Sequence, residues 1–155
     1  MKIAVIAVGR LGRAPEANLA RDWCERATTQ GRALGLGPVE VVEVEPRKPG
    51  KPSEGQALIE AAGAGAFIVA CDEHGETFPS RAFADRISKL RDQGERKLAF
   101  LIGGADGLSE DVLSIAKFKL AFGPQTWPHA LARAMLAEQL YRAVTILSGS
   151  PYHRD

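Results

Sequence analysis

Lys97–Ile102 reads KLAFLI, and Gly103–Ser109 follows at once as GGADGLS. Past Lys97 the first stretch is unbroken in apolar side chains, as in a strand covered on both faces. The glycines behind it permit positive φ and let backbone amides come close to a neighbour. Ser109, with Glu110 and Asp111 after it, reads as a helix start: a hydroxyl for free N–H groups and acidic side chains for the positive end of the helix dipole. Strand, glycine loop and helix form the repeating unit of a parallel sheet.

The same pattern recurs outward. Lys2–Val8 (KIAVIAV) and Ala66–Cys71 (AFIVAC) are nearly continuous in apolar residues, whereas Val39–Glu45 (VEVVEVE) alternates Val with Glu, which suits an edge strand with one solvated face. Helical spacing lies between these runs. A helix beginning near Pro15 places Leu19, Trp23, Ala27 and Leu34 on one side. Ser53 is placed to cap Glu54–Ala62. Ser80–Arg91 gathers Phe83, Ile87 and Leu90 on one face. The longest helix is expected over about Pro128–Leu147, with an apolar stripe of Leu136, Leu140, Val144 and Leu147 and an i,i+4 pair of Glu138 with Arg142. Pro46–Ser53 (PRKPGKPS) reads as a mobile loop whose basic residues could contact RNA. The expectation is one α/β domain over residues 1–155, a mostly parallel sheet flanked by helices.

Composition narrows the function. With 155 residues, 45% hydrophobic and 25% charged, the chain can bury a core and is not disordered. Lys+Arg 20 against Asp+Glu 19 excludes a protein that coats nucleic acid by bulk charge, though residues 117–155 are locally basic. The two cysteines, Cys24 and Cys71, are far apart and belong to no Cys/His cluster, so neither a disulfide framework nor a metal site is expected. The uncharged stretches Ala61–Cys71 and Ala143–His153 fall short of the roughly 20 apolar residues that span a membrane. The N-terminal apolar run is too short for a signal-peptide core. A cytoplasmic protein is the expectation.

Parallel sheets bind ligands beyond the carboxyl ends of their strands. Four segments there could carry chemistry. Gly103, Gly104 and Gly107 form a GGxxG loop that lacks both the dinucleotide spacing and the phosphate-loop GK[ST], and serves equally as a tight turn or a ligand loop. Cys71-Asp72-Glu73-His74-Gly75 follows the third strand, where Asp72 could accept hydrogen bonds from a ligand or simply form a turn. Phe122-Gly123-Pro124-Gln125-Thr126-Trp127-Pro128-His129 is stiffened by two prolines and could read a flat heterocycle through its backbone, or only connect. Tyr152, His153 and Arg154 could stack on a base, move a proton and bind phosphate, or merely decorate a chain end.

Together these segments carry a resemblance. The ordered set LIGGADGLS, TWPHALARAMLAEQLYRA and SPYHRD resembles the SPOUT-class RNA methyltransferases, more narrowly the bacterial RlmH-type family, which methylates N3 of a pseudouridine in 23S rRNA. The opening MKIAVIAVG, the loop PRKPGKPS and the overall length fit as well. The resemblance implies a sheet whose C-terminal part threads a loop to form a trefoil knot, a path no pattern rule would predict. It implies S-adenosylmethionine held bent between three loops, carried over to Cys71 and Asp72, to Gly103, Gly104 and Gly107, and to Phe122, Gly123, Pro124, Gln125, Thr126 and Trp127. It implies a homodimer with the active site across the interface, a pseudouridine of 23S rRNA in the assembled ribosome as substrate, and no metal. Cys71 stands where many relatives have leucine, and Trp127 likewise replaces a leucine.

Methyl transfer from a sulfonium is an in-line displacement, so most of the work is positioning. N3 of pseudouridine is an imide that must lose a proton to attack. His153, with an ordinary imidazole pKa of about 6.5, is the candidate base. Arg154 would favour the imide anion and bind phosphate, and Tyr152 would stack on or hydrogen-bond the base. Two other functions share the pattern: a SPOUT methyltransferase acting on tRNA, and a flavodoxin-like nucleotide-binding module without catalysis.

Overall fold

The side chains of β1 (Lys2–Val8) divide between two cores. Ile3, Val5 and Ala7 point into one hydrophobic cluster, and Ala4, Ile6 and Val8 into the other. A strand covered on both sides must be apolar at every position, which is why the run reads as continuous. Each fully buried Val, Ile or Leu of this kind contributes about 1.5–3 kcal/mol. The computed structural model describes residues Met1–Asp155.

After β1 come α1 (Pro15–Gly31), β2 (Val39–Val44), α2 (Lys51–Ala62), β3 (Phe67–Glu76), α3 (Ser80–Asp92), β4 (Lys97–Ile102), α4 (Glu110–Ile115), β5 (Phe118–Leu120) and α5 (His129–Ser148). The five strands form one sheet in the order β2-β1-β4-β3-β5, every neighbouring pair parallel. The α/β class, the parallel sheet and the edge position of β2 are therefore as the sequence pattern requires. The larger core packs α1, α3 and α5 on one face, through Cys24, Ile87 and Leu140 among others. The smaller packs α2 and α4 on the opposite face, through Leu58 and Val112.

Four sequence expectations are corrected. β5 was not expected, because three residues around an exposed Lys119 carry no pattern of their own. The segment after Cys71 is not a loop but a continuation of β3, in which Cys71 and Glu76 both pair with Leu120 and residues 72–75 bulge out between them. Such bulges re-aim side chains near binding sites. Ser53 is not an N-cap, since α2 already begins at Lys51; its Oγ instead accepts the Lys48 N–H at 3.2 Å. That bond ties the proline-rich segment to the first turn of the helix. In α1 the buried stripe is Ala20, Cys24 and Ala27, while Leu19 stands 48% exposed and Leu34 lies beyond the helix in a short 3-10 turn.

Other local expectations hold. Ser109 caps α4, its Oγ accepting the Val112 N–H at 3.4 Å. Leu136, Leu140 and Val144 are buried on α5. Arg142 Nη2 donates to Glu138 Oε1 at 2.5 Å. No helix is long and apolar enough to cross a membrane.

Candidate functional site

β3, β4 and β5 end side by side, and their continuations enclose a cavity of about 430 Å³. Its wall comes from the β3 bulge (Cys71, Asp72, Glu73, His74), the loop after β4 (Gly103 to Leu108) and the segment after β5 (Phe122, Gln125, Thr126, Trp127). Lys51 of α2, Glu110 and Leu113 of α4, and His129 and Ala132 of α5 also line it. Ligand pockets run from about 300 to 1,000 Å³, so a nucleoside-sized molecule fits.

Glycine shapes the floor. Gly104 and Gly107 form an antiparallel bridge, with the Gly107 N–H donating to the Gly104 carbonyl at 3.1 Å. The turn folds so tightly that a Cβ on Gly103 would lie 2.6 Å from the Gly107 carbonyl oxygen. Only glycine allows this approach, and with it the backbone itself forms the wall. The segment after β5 is closed by its own side chains. Trp127 Nε1–H donates to the Phe122 carbonyl at 3.2 Å, and Thr126 Oγ1–H donates to Glu73 Oε2 at 2.7 Å. The second bond joins that segment to the β3 bulge. Asp72 Oδ1 accepts the His74 N–H at 2.8 Å, which shapes the bulge.

Carboxylates dominate the wall. Asp72, Glu73, Asp106 and Glu110 line the cavity against Lys51 as the one permanent cation. Behind the glycine loop lies a fifth, Glu54, whose Oε1 would sit 3.1 Å from a Cβ on Gly104 and whose buried Oε2 has no hydrogen-bond partner. A site of this sign favours a cationic ligand. Burial pushes the Cys71 thiol up to about 12, with Asp72 adding to the rise, so Cys71 is a neutral wall group and no nucleophile.

The expected cofactor residues are thus largely brought together. Cys71, Asp72, Gly103, Gly104, Gly107, Phe122, Gln125, Thr126 and Trp127 all line the cavity. Gly123 and Pro124 do not. They face a second cavity of about 530 Å³, with Phe78, Phe83, Met135, Glu138 and Gln139, which shares only Leu120, Ala121 and Phe122 with the first. Glu73, His74 and His129 lay within the segments read as candidate loops but were given no role of their own, and Lys51 and Glu110 were not assigned to the site. The only available signal was their adjacency to residues that were, and for Lys51 its place in the basic loop.

Tyr152, His153 and Arg154 line neither cavity of their own chain. The tail instead docks on α5, α3 and α1. Tyr152 meets Tyr141 edge-on at 4.8 Å and Trp23 at 5.9 Å, and its hydroxyl donates to Glu138 Oε1 at 2.9 Å. Burial and the Glu138 carboxylate raise its pKa. His153 lies between Arg142, whose Nη1 is 3.1 Å from Nδ1, and Asp155, whose Oδ1 is 3.1 Å from Nε2. Asp155 is held in turn by both nitrogens of an Arg81 fork at 2.7 Å, which brings its carboxyl down to about 2.

Arg133, in the locally basic stretch of residues 117–155, is only 1% exposed. Its Nη1 donates to Glu43 Oε2 at 2.6 Å, and its Nη2 to the Gly9 carbonyl at 3.3 Å. Glu43 also accepts the Leu11 N–H at 2.9 Å. Burial alone would raise the Glu43 carboxyl, but the Leu11 and Arg133 donors outweigh it and the pKa is lowered. Arg133 therefore ties α5 to the ends of β1 and β2 and is not free for RNA.

A parallel sheet with a glycine-floored, acidic cavity beyond three adjacent strand ends defines an α/β protein that binds a nucleoside-like, cationic ligand. The chain belongs to the SPOUT methyltransferase family: the family model described as "Predicted SPOUT methyltransferase" matches residues 1–153. It is 66% identical over 155 residues to the Ribosomal RNA large subunit methyltransferase H of Phenylobacterium zucineum (strain HLK1), with both chains covered in full. It is 65% identical over 158 residues to the protein of the same name from Caulobacter sp. (strain K31), again over the whole of both. Among solved structures, it is similar to a probable methylase family protein from Haemophilus influenzae Rd KW20, with TM-score 0.56 and 14% identity, over 99% of this chain and 70% of that one. A probable methyltransferase from Bordetella pertussis Tohama I matches with TM-score 0.53 and 18% identity, over 92% and 96%.

S-adenosylmethionine is the methyl donor of this family. The residues present fit it: a backbone floor for a flat nucleoside, and carboxylates for a sulfonium and an ammonium.

Proposed function

We propose that the chain methylates N3 of a pseudouridine in 23S rRNA of the large ribosomal subunit, with S-adenosylmethionine as donor. The observation that carries this reading is the acidic, glycine-floored cavity beyond β3, β4 and β5, in a chain two-thirds identical over its full length to proteins named for methylating that RNA. When bound, the donor supplies an electrophilic methyl group on a sulfonium sulfur. Gly103, Gly104 and Gly107 hold it through the backbone, Phe122, Gln125, Thr126 and Trp127 enclose its adenosine, and Asp72 and Glu73 balance its charge. The Thr126–Glu73 bond keeps two of these walls in register.

The tail handles the acceptor. Arg154 binds RNA phosphate and favours the imide anion, Tyr152 contacts the base, and His153 acts on the imide itself. In one chain these residues stand apart from the donor cavity. The reading therefore calls for a homodimer in which one copy's tail meets its partner's cavity. Ribosome shape supplies recognition that a near-neutral chain does not supply by charge, and the setting is the bacterial cytoplasm.

The test is transfer of labelled methyl from S-adenosylmethionine to intact ribosomes by the purified chain. Label is expected in 23S rRNA at one pseudouridine, and His153→Ala is expected to bind donor but lose turnover. Label in tRNA, or none in ribosomal RNA, overturns the assignment.

A further inference from the structure

His153 lies between one group that can only donate and one that, ionised, can only accept. A guanidinium has five N–H donors and no acceptor, so the contact at 3.1 Å requires Nδ1 of His153 to present its lone pair to Arg142. The Asp155 carboxyl, drawn down to about 2, is an acceptor at neutral pH, so Nε2 of His153 carries the proton and donates it. Both contacts select the same neutral tautomer, because the ring state follows the hydrogen bonds its nitrogens make.

Arg142 is itself fixed. Its Nη2 donates to Glu138 Oε1 at 2.5 Å, its Nε to Glu138 Oε2 at 3.5 Å, and its guanidinium lies 4.8 Å over the Tyr152 ring. Glu138 Oε2 also accepts from Gln139 at 2.9 Å. With four donors converging on Glu138, the one arm left over, Nη1, points at the imidazole. His153 is 13% exposed, so water does not compete freely for Nδ1. The charged and titratable groups around the ring are Arg142 and Glu138 of α5, Arg81 of α3 through Asp155, and Tyr152 and Asp155 of the tail.

We infer that Arg142 is a positioning residue that locks His153 in the Nε2–H tautomer, so that His153 serves methylation by donating from Nε2 to the acceptor's imide oxygen and not by taking the N3 proton. This rests on the function proposed above. The Asp155 carboxylate occupies the place of that oxygen when no RNA is bound. The imide proton passes to solvent water, leaving an anion whose charge is shared between N3 and the flanking oxygens. His153 keeps its proton, and the ring enters and leaves the reaction unchanged. With Arg142 donating to Nδ1, that nitrogen has no free lone pair with which to take the imide proton.

Two measurements on the full chain decide it. Nitrogen-15 NMR of the three histidines, with His153 assigned by its loss in His153→Gln, reads the tautomer directly. The wild type is expected to show Nε2–H, Arg142→Met/Asp155→Ala, which removes both contacts, a mixture, and Arg142→Lys/Asp155→Ala, which keeps a donor on Nδ1, the wild-type pattern. Ribosome methylation reads the role. Glutamine presents an N–H near the place of Nε2 but cannot act as a base, so His153→Gln is expected within roughly tenfold of wild-type kcat while His153→Ala loses about a hundredfold or more. Arg142→Met is expected to lower kcat by roughly tenfold with the donor KM unchanged. An Nδ1–H tautomer in the wild type, or the wild-type tautomer retained in full in Arg142→Met/Asp155→Ala, overturns the assignment of Arg142. His153→Gln as inactive as His153→Ala overturns the donor role. If His153→Ala turns over normally, the catalytic tail fails instead, and the tautomer, read without substrate, still judges Arg142.

Discussion

Gly103→Ala tests the backbone floor of the cavity. The added methyl would lie 2.6 Å from the Gly107 oxygen and 2.7 Å from its carbonyl carbon, where ordinary contact begins at 3.4 Å. The obstacle is backbone inside a closed turn, so the turn must open by about 0.8 Å. Overpacking of this kind costs about 1–3 kcal/mol in stability. At about 2–4 °C per kcal/mol for a chain of this size, the melting temperature should fall by a few degrees to about 10 °C. Opening also misaligns the loop amides proposed to hold the donor. Two backbone hydrogen bonds at about 1 kcal/mol each come to about 2 kcal/mol, or roughly thirtyfold in Kd. Calorimetric titration with S-adenosylhomocysteine measures the second effect and thermal unfolding the first. A folded variant with wild-type affinity would refute the claim that this turn supports the donor.

Three further outcomes are expected. Thr126→Val removes the Glu73 hydrogen bond from an exposed position, so donor KM should rise a few-fold with stability changed by no more than about 0.5 kcal/mol, read by kinetics and urea unfolding. Arg133→Met strands the Gly9 carbonyl and leaves Glu43 only the Leu11 N–H. Breaking a buried pair costs about 3–5 kcal/mol, and since the Glu43 side chain is 35% exposed, about half of that is expected in urea, with part recovered in Arg133→Met/Glu43→Gln. Tail docking should have two pH limits, read by Trp23 fluorescence. Asp155 is lowered, so its contribution is present above its unfolded pKa and lost as pH falls toward about 2, and Arg81→Gln should move that loss to higher pH. Tyr152 is raised, so its contribution is present below its unfolded pKa and lost as pH rises through the folded one, and Tyr152→Phe should abolish this alkaline limb.

Residues that signal structure locally were legible. β1 and β4 are apolar at consecutive positions because each faces two cores, and the Val–Glu alternation of β2 follows from its edge position. Glycine and proline marked the loops after β4 and β5, because a tight turn and a stiff segment require them. What pairing over distance decides was hidden. Asp72 to Gly75 look like a turn, and only partnership with the three-residue β5 makes them a strand bulge. Arg133 reads as a surface cation until Glu43, 90 positions away, is seen to hold it. Leu19 fits the helical period yet faces outward, since small residues fill the α1 seam. The tail motif pointed to RNA chemistry through its likeness to a family, while its docking on Glu138 and Arg142 is visible only in the fold.

Mass spectrometry of large-subunit RNA from cells lacking this chain reads substrate and position together. The expected result is one pseudouridine of 23S rRNA without its N3 methyl, restored by the wild-type chain and not by His153→Ala. An unaltered modification pattern in those cells would contradict the assignment outright.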